Sequence, residues 1–455
     1  MKADILVVGG GLGGVAAALA AARAGKRVIM TEEYDWIGGQ LTSQAVPSDE
    51  HTWVEQFGIT RSYRALRNGV RQYYRDHYPL TEGARAWGDL NPGGGWVSRI
   101  CAEPRVSLAV MESMLMPYIG AGRLTILKPW RPVGADVDGD LVRSVTLRHR
   151  DSGAEIVISA DYVLDATELG DLLPMTGTEY AKGFEAQSDT GEPSAPEHAQ
   201  PDNVQAVSIC FAIDHVDGDQ TIDKPENYDY WRSYQPHFWG GPLLGFTAPH
   251  PRTLEHTTRS FTPNPDDNPL LVDADQRKGG GDENLWIFRR IAARKNFAPG
   301  FYQSDICLVN WPMIDYMDGT IIDVTEEEKA RHLKAAADLS YTVRGERGAV
   351  RYRDSIGIGM YRIDLHPSTG GDNYIDVPSC PFEIPLGALI PQRVRNLIPA
   401  GKNIGTTHIT NGCYRLHPVE WNIGEVAGML AAHCLENGLT PHQVQEDDDR
   451  LEAFQ

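Results

Sequence analysis

The spacing Gly9-x-Gly11-x-x-Gly14, with an acidic residue at Glu32, is the first pattern in the chain that could do chemistry. Glycines so placed supply a tight turn, a bare backbone that can approach a pyrophosphate, and close packing of the next helix on the preceding strand. A helix opening there aims unpaired N–H groups and the positive end of its dipole at the phosphates. Glu32 follows Gly9 by 23 residues, where a carboxylate accepts from both ribose hydroxyls, and its charge opposes a phosphorylated ribose. The predicted chemistry is dinucleotide binding by Gly9, Gly11, Leu12, Gly13, Gly14 and Glu32. A glycine turn that binds nothing has the same letters; a strand before it and a helix after it favour the ligand.

Those flanking elements are legible. Asp4–Val8 is a short apolar run suited to a buried parallel strand. Val15–Ala24 is alanine-rich with strong helix propensity and ends at Gly25, a left-handed cap. Arg27–Thr31 is a second strand, so the first thirty or so residues form a βαβ unit. Residues 41–105, rich in Tyr, Trp and Arg without a clear period, read as an insertion around the ligand. Pro104 opens a helix to Tyr118, and strands are expected at 124–127, 141–147, 155–158 and 162–165. Residues 184–205, with Pro193, Pro196 and Pro201, mark a boundary. A second region from Val207 to Phe382 has strands near 207–213, 285–291 and 305–310 and a helix capped by Thr325 and Glu328. Arg395–Gly401 is a strand into a glycine turn, and Pro418–Glu436 is a helix closed by Gly438. The expected units are 1–205 with the 41–105 insertion, 206–385, a return segment 386–440, and an acidic tail 441–455.

The 455 residues carry 42 Lys+Arg against 62 Asp+Glu, a net charge of −20. Such an excess repels a phosphate backbone, so no nucleic-acid partner is expected. Six widely spaced cysteines contain no C-x-x-C pair and no pattern of metal ligands; they point to a reduced, cytoplasmic setting. The apolar N-terminus is broken by Asp4 and six glycines, and no run of 18 apolar residues follows, so neither export nor a membrane span is expected. The 46 glycines are about 10% of the chain against a usual ~7%. Many fall at the proposed ligand stations, while Gly93–Gly95 and Gly279–Gly281 read as loop hinges.

Beyond Glu32 stands Ile37-Gly38-Gly39-Gln40-Leu41-Thr42, and here the sequence resembles the FAD-dependent oxidoreductases of the glutathione-reductase-like type. Val163-Leu164-Asp165-Ala166-Thr167-Glu168 is similar to the Ala-Thr-Gly strand end of that family. Leu397-Ile398-Pro399-Ala400-Gly401-Lys402-Asn403, with the helix from Pro418, resembles its C-terminal flavin segment. The resemblance implies an α/β fold: a Rossmann-like FAD-binding domain of parallel sheet plus β-meander, with an inserted α+β substrate domain. It implies FAD as cofactor, placed against Gly39, Gln40, Leu41, Ala166, Thr167, Gly401 and Asn403. Two departures stand out, since the family commonly has Gly at the position of Glu168 and Asp at that of Lys402.

Reduction of a flavin puts negative charge on one edge of its ring, and a helix N-terminus aimed there stabilises it. The expected donors are backbone N–H groups near Asn422 and Ile423. Oxidising a C–H bond beside an alcohol or amine also needs a base for the heteroatom proton, with hydride delivered to flavin N5. His417 and His51 are the candidates, with His408, Asp49 and Glu50 nearby. Six aromatics between Tyr228 and Trp239 are read as a lid over the flavin or as a core cluster. Arg415 and Arg351 are read as holders of a substrate carboxylate or as salt-bridge partners. Three functions stay open: hydride-transferring oxidation of a small molecule such as an alcohol, amine or sugar-like substrate; a monooxygenase using external NAD(P)H; and a non-catalytic FAD carrier. A homo-oligomer is compatible with each.

Overall fold

The computed structural model describes residues 1–219, 227–250, 253–271, 284–341, 354–377 and 379–455. The opening apolar run is β1 (Lys2–Val8), the glycine turn leads to α1 (Leu12–Arg23), and β2 (Val28–Thr31) returns beside β1 in parallel, Ile5 opposite Val28 and Val7 opposite Met30. Ile5 and Val7 enter the core on one face of the sheet, Leu6 and Val8 that on the other. A strand covered on both faces has to read as an unbroken apolar run.

The insertion holds more order than its composition suggests. Its centre is an amphipathic helix, α2 (Arg61–His77), whose N-cap Thr60 accepts from the N–H of Tyr63 and whose Tyr63, Leu66, Val70 and Tyr74 are buried. The helical spacing of those four was masked by Arg67 and Arg71, which are also buried, because paired arginines can line a core face. Next come α3 (Pro104–Gly120), β3 (Leu124–Leu127), β4 (Trp130–Asp138), β5 (Leu141–His149) and β6 (Glu155–Asp165). Thus β6 is one strand where two were expected, and β4 was not foreseen.

In the second region β7 (Phe211–Ile213), β8 (Arg290–Ala292) and β9 (Ile306–Val309) form a small antiparallel sheet in the order β8-β9-β7. Leu285–Phe288 is a helical turn capped by Asn284 rather than a strand. Thr325 and Glu328 do cap a helix, α4 (Glu326–Leu339): Thr325 Oγ1 accepts from Glu328 N (3.2 Å) and Glu328 Oε2 from Thr325 N (3.0 Å). Trp231 and Trp239 of the aromatic segment are core residues, packed with Leu243, Trp286 and Trp311, while Tyr230 is exposed. Gly93 is no hinge, since a Cβ there would lie 2.0 Å from the carbonyl oxygen of Arg290. Arg351 and Gly279–Gly281 lie outside the described residues.

The chain then returns to the first sheet. β10 (Leu397–Pro399) pairs in parallel with the end of β6, Leu397 opposite Val163 and Pro399 opposite Asp165. Five strands are therefore parallel, β3-β2-β1-β6-β10, and β4-β5-β6 makes an antiparallel meander. α5 (His417–Asn437) lies across α1. The expected acidic tail is folded as α6 (Pro441–Glu446) and α7 (Asp448–Phe454), which seat Val444 and Leu451 in the core.

The crossing of α1 and α5 requires glycine. A Cβ on Gly424 would lie 2.0 Å from Gly13 O, and one on Gly428 2.3 Å from Ala17 O. Gly424→Ala is expected to destabilise the fold by ~3 kcal/mol in urea unfolding, the upper range for overpacking. Gly134→Ala, in β4 with open space around it, should stay within about 0.5 kcal/mol of the parent.

Candidate functional site

The carboxyl ends of β1, β6 and β10 stand side by side, Val8 opposite Asp165 and Asp165 opposite Pro399. Their following turns, Gly9–Gly14, Ala166–Glu168 and Ala400–Asn403, consequently meet in one crevice, the usual ligand position on a sheet of this kind. Gly9 is left-handed (φ +99°), and a Cβ there would sit 2.2 Å from Ala166 O; at Gly13 it would sit 2.1 Å from Ala400 O. No other residue type brings these turns so close.

Glu32, at the end of β2, faces the glycine turn: its carboxylate accepts from Gly10 N (2.9 Å) and Tyr34 N (2.8 Å). Burial pushes its pKa up to about 7. Gly38 donates to Gly10 O (2.7 Å), which docks the Gly39–Gln40–Leu41 segment on the turn; Leu41 is buried, and Gln40 Oε1 is buried without a hydrogen bond. Thr167 donates to Asp165 through Oγ1 (2.7 Å) and N (3.0 Å), and burial raises Asp165 to about 7. Gly401 is buried, and both polar atoms of the Asn403 side chain are buried without hydrogen bonds.

Three charged side chains also enter this crevice. Glu420 Oε1 accepts from Gly13 N (3.1 Å), and Lys402 Nζ lies 2.5 Å from Glu168 Oε2 and 3.6 Å from Glu420 Oε2. Burial raises the pKa of Glu420. For Lys402 burial acts downward, but the two carboxylates outweigh it and hold the ammonium above its usual range. The residues that depart from the family pattern are thus each other's partners.

The expectation for Asn422 and Ile423 needs correction. Because α5 begins at His417, both stand in its second turn, where N–H groups are spent within the helix; those left free belong to the first turn, at His417 and Val419. Ile423 is a core residue, and the Asn422 amide covers Gly357, where a Cβ would lie 2.2 Å from Nδ2.

At the start of α5 lies a second constellation. His417 is fully buried; its Nδ1 accepts from Asp49 N (3.0 Å), while Nε2 has no hydrogen bond. Burial lowers its pKa to about 3, so the ring is neutral and carries its proton on Nε2. Such a ring donates from Nε2 and keeps no lone pair to take a proton. Asp49 Oδ1, also without a hydrogen bond, is 3.6 Å from Nη1 of Arg289, whose side chain is 11% exposed and whose Nε and Nη1 have no acceptor. Burial raises Asp49.

The neighbouring Glu50 has a different fate. It receives Arg67 Nε (2.8 Å) and Nη2 (3.1 Å), Tyr63 OH (2.9 Å) and Ser98 Oγ (3.1 Å). Fully satisfied, it anchors the loop that presents Asp49. His51 has Nε2 3.3 Å from Gly58 O and its ring beside Phe57, while its Nδ1 is buried without a hydrogen bond. His408 is stacked on Phe184 and held by Glu185 at 3.0 Å. Arg415 Nη2 donates to the backbone oxygen of Asp364 (2.8 Å) and lies 3.5 Å from its Oδ2, the salt-bridge use foreseen for it.

Sequence reasoning missed Arg289 and the pair His366–Asp315, in which His366 Nδ1 lies 2.6 Å from Asp315 Oδ2. Burial opposes protonation of His366, but Asp315 raises its pKa overall. No local motif marks either, since each contact is made between segments far apart in sequence. Among the described residues no His/Cys/Asp/Glu group could hold a metal ion, and no helix is long and apolar enough to cross a membrane.

A model of the family described as FAD dependent oxidoreductase matches residues 4–350 and 346–455. No curated protein matches the sequence. Among solved structures, the chain is similar to a myxobacterial chondrochloren halogenase, a variant of FAD-dependent halogenases, at 18% identity, covering 37% of this chain and 38% of that one with a TM-score of 0.23. It is similar to glycerol-3-phosphate dehydrogenase from Bacillus halodurans complexed with FAD, at 14% identity, 40% and 37% coverage and a TM-score of 0.25. The chain spans under two fifths of the length of either protein. Anhydrotetracycline hydroxylase from Streptomyces rimosus is matched at 11% identity over 100% of this chain and 65% of that one, with a TM-score of 0.36.

A histidine buried neutral must gain its proton on unfolding. The folded pKa of about 3 lies below the usual ~6.5, so the unfolded chain binds the extra proton between these values and stability falls as pH drops through that window. His417→Gln should remove a slope of ~1.4 kcal/mol per pH unit there, measured as parent minus variant in urea unfolding at pH 4 to 7.

Proposed function

The chain belongs to the FAD dependent oxidoreductase family, and from this we propose that FAD lies along the path Gly9–Gly14, Glu32, Gly39–Leu41, Ala166–Thr167 and Gly401–Asn403, in the glutathione-reductase-like manner. We further propose that the enzyme oxidises a small organic substrate, an alcohol, amine or sugar-like compound, at a C–H bond next to the heteroatom. Residues 206–385 then carry much of the substrate side. The cofactor supplies a two-electron acceptor that takes hydride at N5.

The residues fit such a group. At Gly11 and Gly39 the atom a Cβ would meet first is a carboxylate oxygen of the partly exposed Glu168, 3.0 and 2.7 Å away, and Gln40 Oε1 and both polar atoms of Asn403 are buried with hydrogen-bonding capacity unspent. Unsatisfied buried polar atoms are costly and call for a partner. Glu32 presents a carboxylate suited to ribose hydroxyls.

The observation that carries the catalytic reading is the trio His417, Asp49 and Arg289: His417 Nε2 and Arg289 Nε are buried without a hydrogen-bond partner, and Asp49 Oδ1 and Arg289 Nη1 face each other only as an ion pair at 3.6 Å. His417 takes the part of a neutral donor, orienting a substrate oxygen or the developing charge beside it. Asp49 takes the heteroatom proton, a task that suits a carboxylate with a raised pKa. Arg289 favours the ionised form of Asp49 before the proton arrives and offers its Nε–H to an acceptor on the substrate. His51 has no part in this step.

Purified protein should be yellow, absorbing near ~450 nm as flavins do, and Gly11→Val should lose bound flavin; normal FAD content in that variant would refute the placement. Asp49→Asn should keep its flavin but slow anaerobic bleaching by substrate by about 10²–10⁴-fold, the usual worth of a general base. Bleaching by a panel of alcohols, amines, amino acids and sugars identifies the substrate class. Bleaching by NAD(P)H alone would favour a monooxygenase, and an Asp49→Asn rate near the parent's would remove Asp49 from the mechanism.

A further inference from the structure

The crevice at the three strand ends contains an anion of the protein's own making. A Cβ on Gly11 would lie 3.0 Å from Glu168 Oε1, and one on Gly39 2.7 Å from the same atom. A carboxylate oxygen therefore sits between the two glycine segments that leave room for a diphosphate. Its other oxygen is 2.5 Å from Lys402 Nζ. On the far side Glu420 Oε1 takes the N–H of Gly13, and its Oε2, buried and without a hydrogen bond, faces the same ammonium at 3.6 Å. The cluster thus has two carboxylates and one ammonium, with the helix α1 N-terminus behind them.

The two carboxylates differ in mobility. The side chain of Glu168 is 36% exposed at the mouth of the crevice, whereas that of Glu420 is 3% exposed and rooted in α5. Glu168 can turn into water, where hydration replaces its ion pair with Lys402. Glu420 has no such exit, so its charge and that of an entering diphosphate would face each other unless a cation stays between them. Lys402, 18% exposed, is the cation so placed.

We propose that Lys402 is a ligand of the FAD diphosphate, and that Glu168 holds the place of the phosphate, and the charge of Lys402, until the cofactor enters. The inference rests on the reading that this turn binds FAD. Glu168 leaves for solvent, its oxygen between Gly11 and Gly39 is replaced by a phosphate oxygen, and Lys402 bridges that oxygen and Glu420. Removing Lys402 removes the bridge; removing the charge of Glu168 removes a competitor. The two substitutions therefore act in opposite directions on the same equilibrium.

The test is equilibrium titration of flavin-stripped, full-length protein with FAD by quenching of flavin fluorescence, with ADP as a competitor that has the diphosphate but no flavin. Lys402→Met should raise the Kd for FAD and for ADP by a similar factor, about 10-fold or more as for loss of a charge-assisted hydrogen bond. Lys402→Arg should stay within about 3-fold of the parent, since the charge is kept. Glu168→Gln should tighten FAD about 3-fold or more when Lys402 is present and have no effect beside Lys402→Met, a coupling that a double-mutant cycle reads directly. A Kd for FAD within about 2-fold of the parent in Lys402→Met, well below the worth of a phosphate contact, overturns the proposal. So does a loss seen with FAD but not ADP, failure of Lys402→Arg to rescue, or weaker FAD binding by Glu168→Gln. If Gly11→Val also leaves the Kd unchanged, the placement of the cofactor fails with it; if Gly11→Val abolishes binding and Lys402→Met does not, only the role of Lys402 falls.

Discussion

Backbone lies directly on backbone where α1, α5 and the turn after β10 meet, and the rest of the molecule is arranged around that contact. Gly13 touches the turn at Ala400 on one side and Gly424 of α5 on the other, so a single residue without a side chain lets three segments share one point. Everything proposed for the nucleotide depends on it. The approach of α5 brings Glu420 to the N–H of Gly13, and the approach of the β10 turn brings Lys402 and Asn403 to the crevice. A wider spacing would leave the start of α1 a common helix terminus open to water.

Asp49 and Glu50 show how a fold assigns opposite roles to identical chemistry. Glu50 is saturated by Arg67, Tyr63 and Ser98, and Arg67 is tied further to Glu55, which also holds Arg71. A buried ionic network is tolerable when each member is satisfied. This one fixes α2 against the loop and gives Asp49 a rigid mount. Asp49, His417 and Arg289 are then left with atoms unsatisfied, an arrangement that lowers stability and that folded chains keep where a ligand will complete it.

Much of the architecture could be read from local signals. The βαβ unit, the helix from Pro104, the capping of α4 and the C-terminal helix each rest on short-range patterns of glycine, proline and apolar spacing, and the structure reproduces them. What escaped the reading lay in two classes. Buried arginines disguised the helical period of α2, because a polar letter at a core position looks like a break until its partner is known. Continuous strands were divided where polar residues interrupt them: Asp161 is exposed in the middle of β6, yet the strand runs through it, since β5 and β10 cover different halves of its length. The site divides the same way. Glycines and Glu32 announce themselves by spacing, whereas Arg289 and the His366–Asp315 pair come from distant segments, and which histidine atom donates is decided by a backbone N–H 368 residues away.

The hydrogen bond from Gly13 to Glu420 spans 407 residues of chain. During synthesis the βαβ unit emerges first and can form from local contacts, but its glycine turn lacks the wall formed by β10 and α5 until nearly four hundred more residues have left the ribosome. The nascent chain therefore carries a half-built nucleotide crevice for most of its translation, with the last residues of β6 unpaired on the side that β10 will cover and α1 uncovered along its glycine face. Cofactor loading becomes a late event, coupled to arrival of the return segment, and premature termination before residue 397 would yield a chain with the glycine fingerprint intact and nowhere to close it.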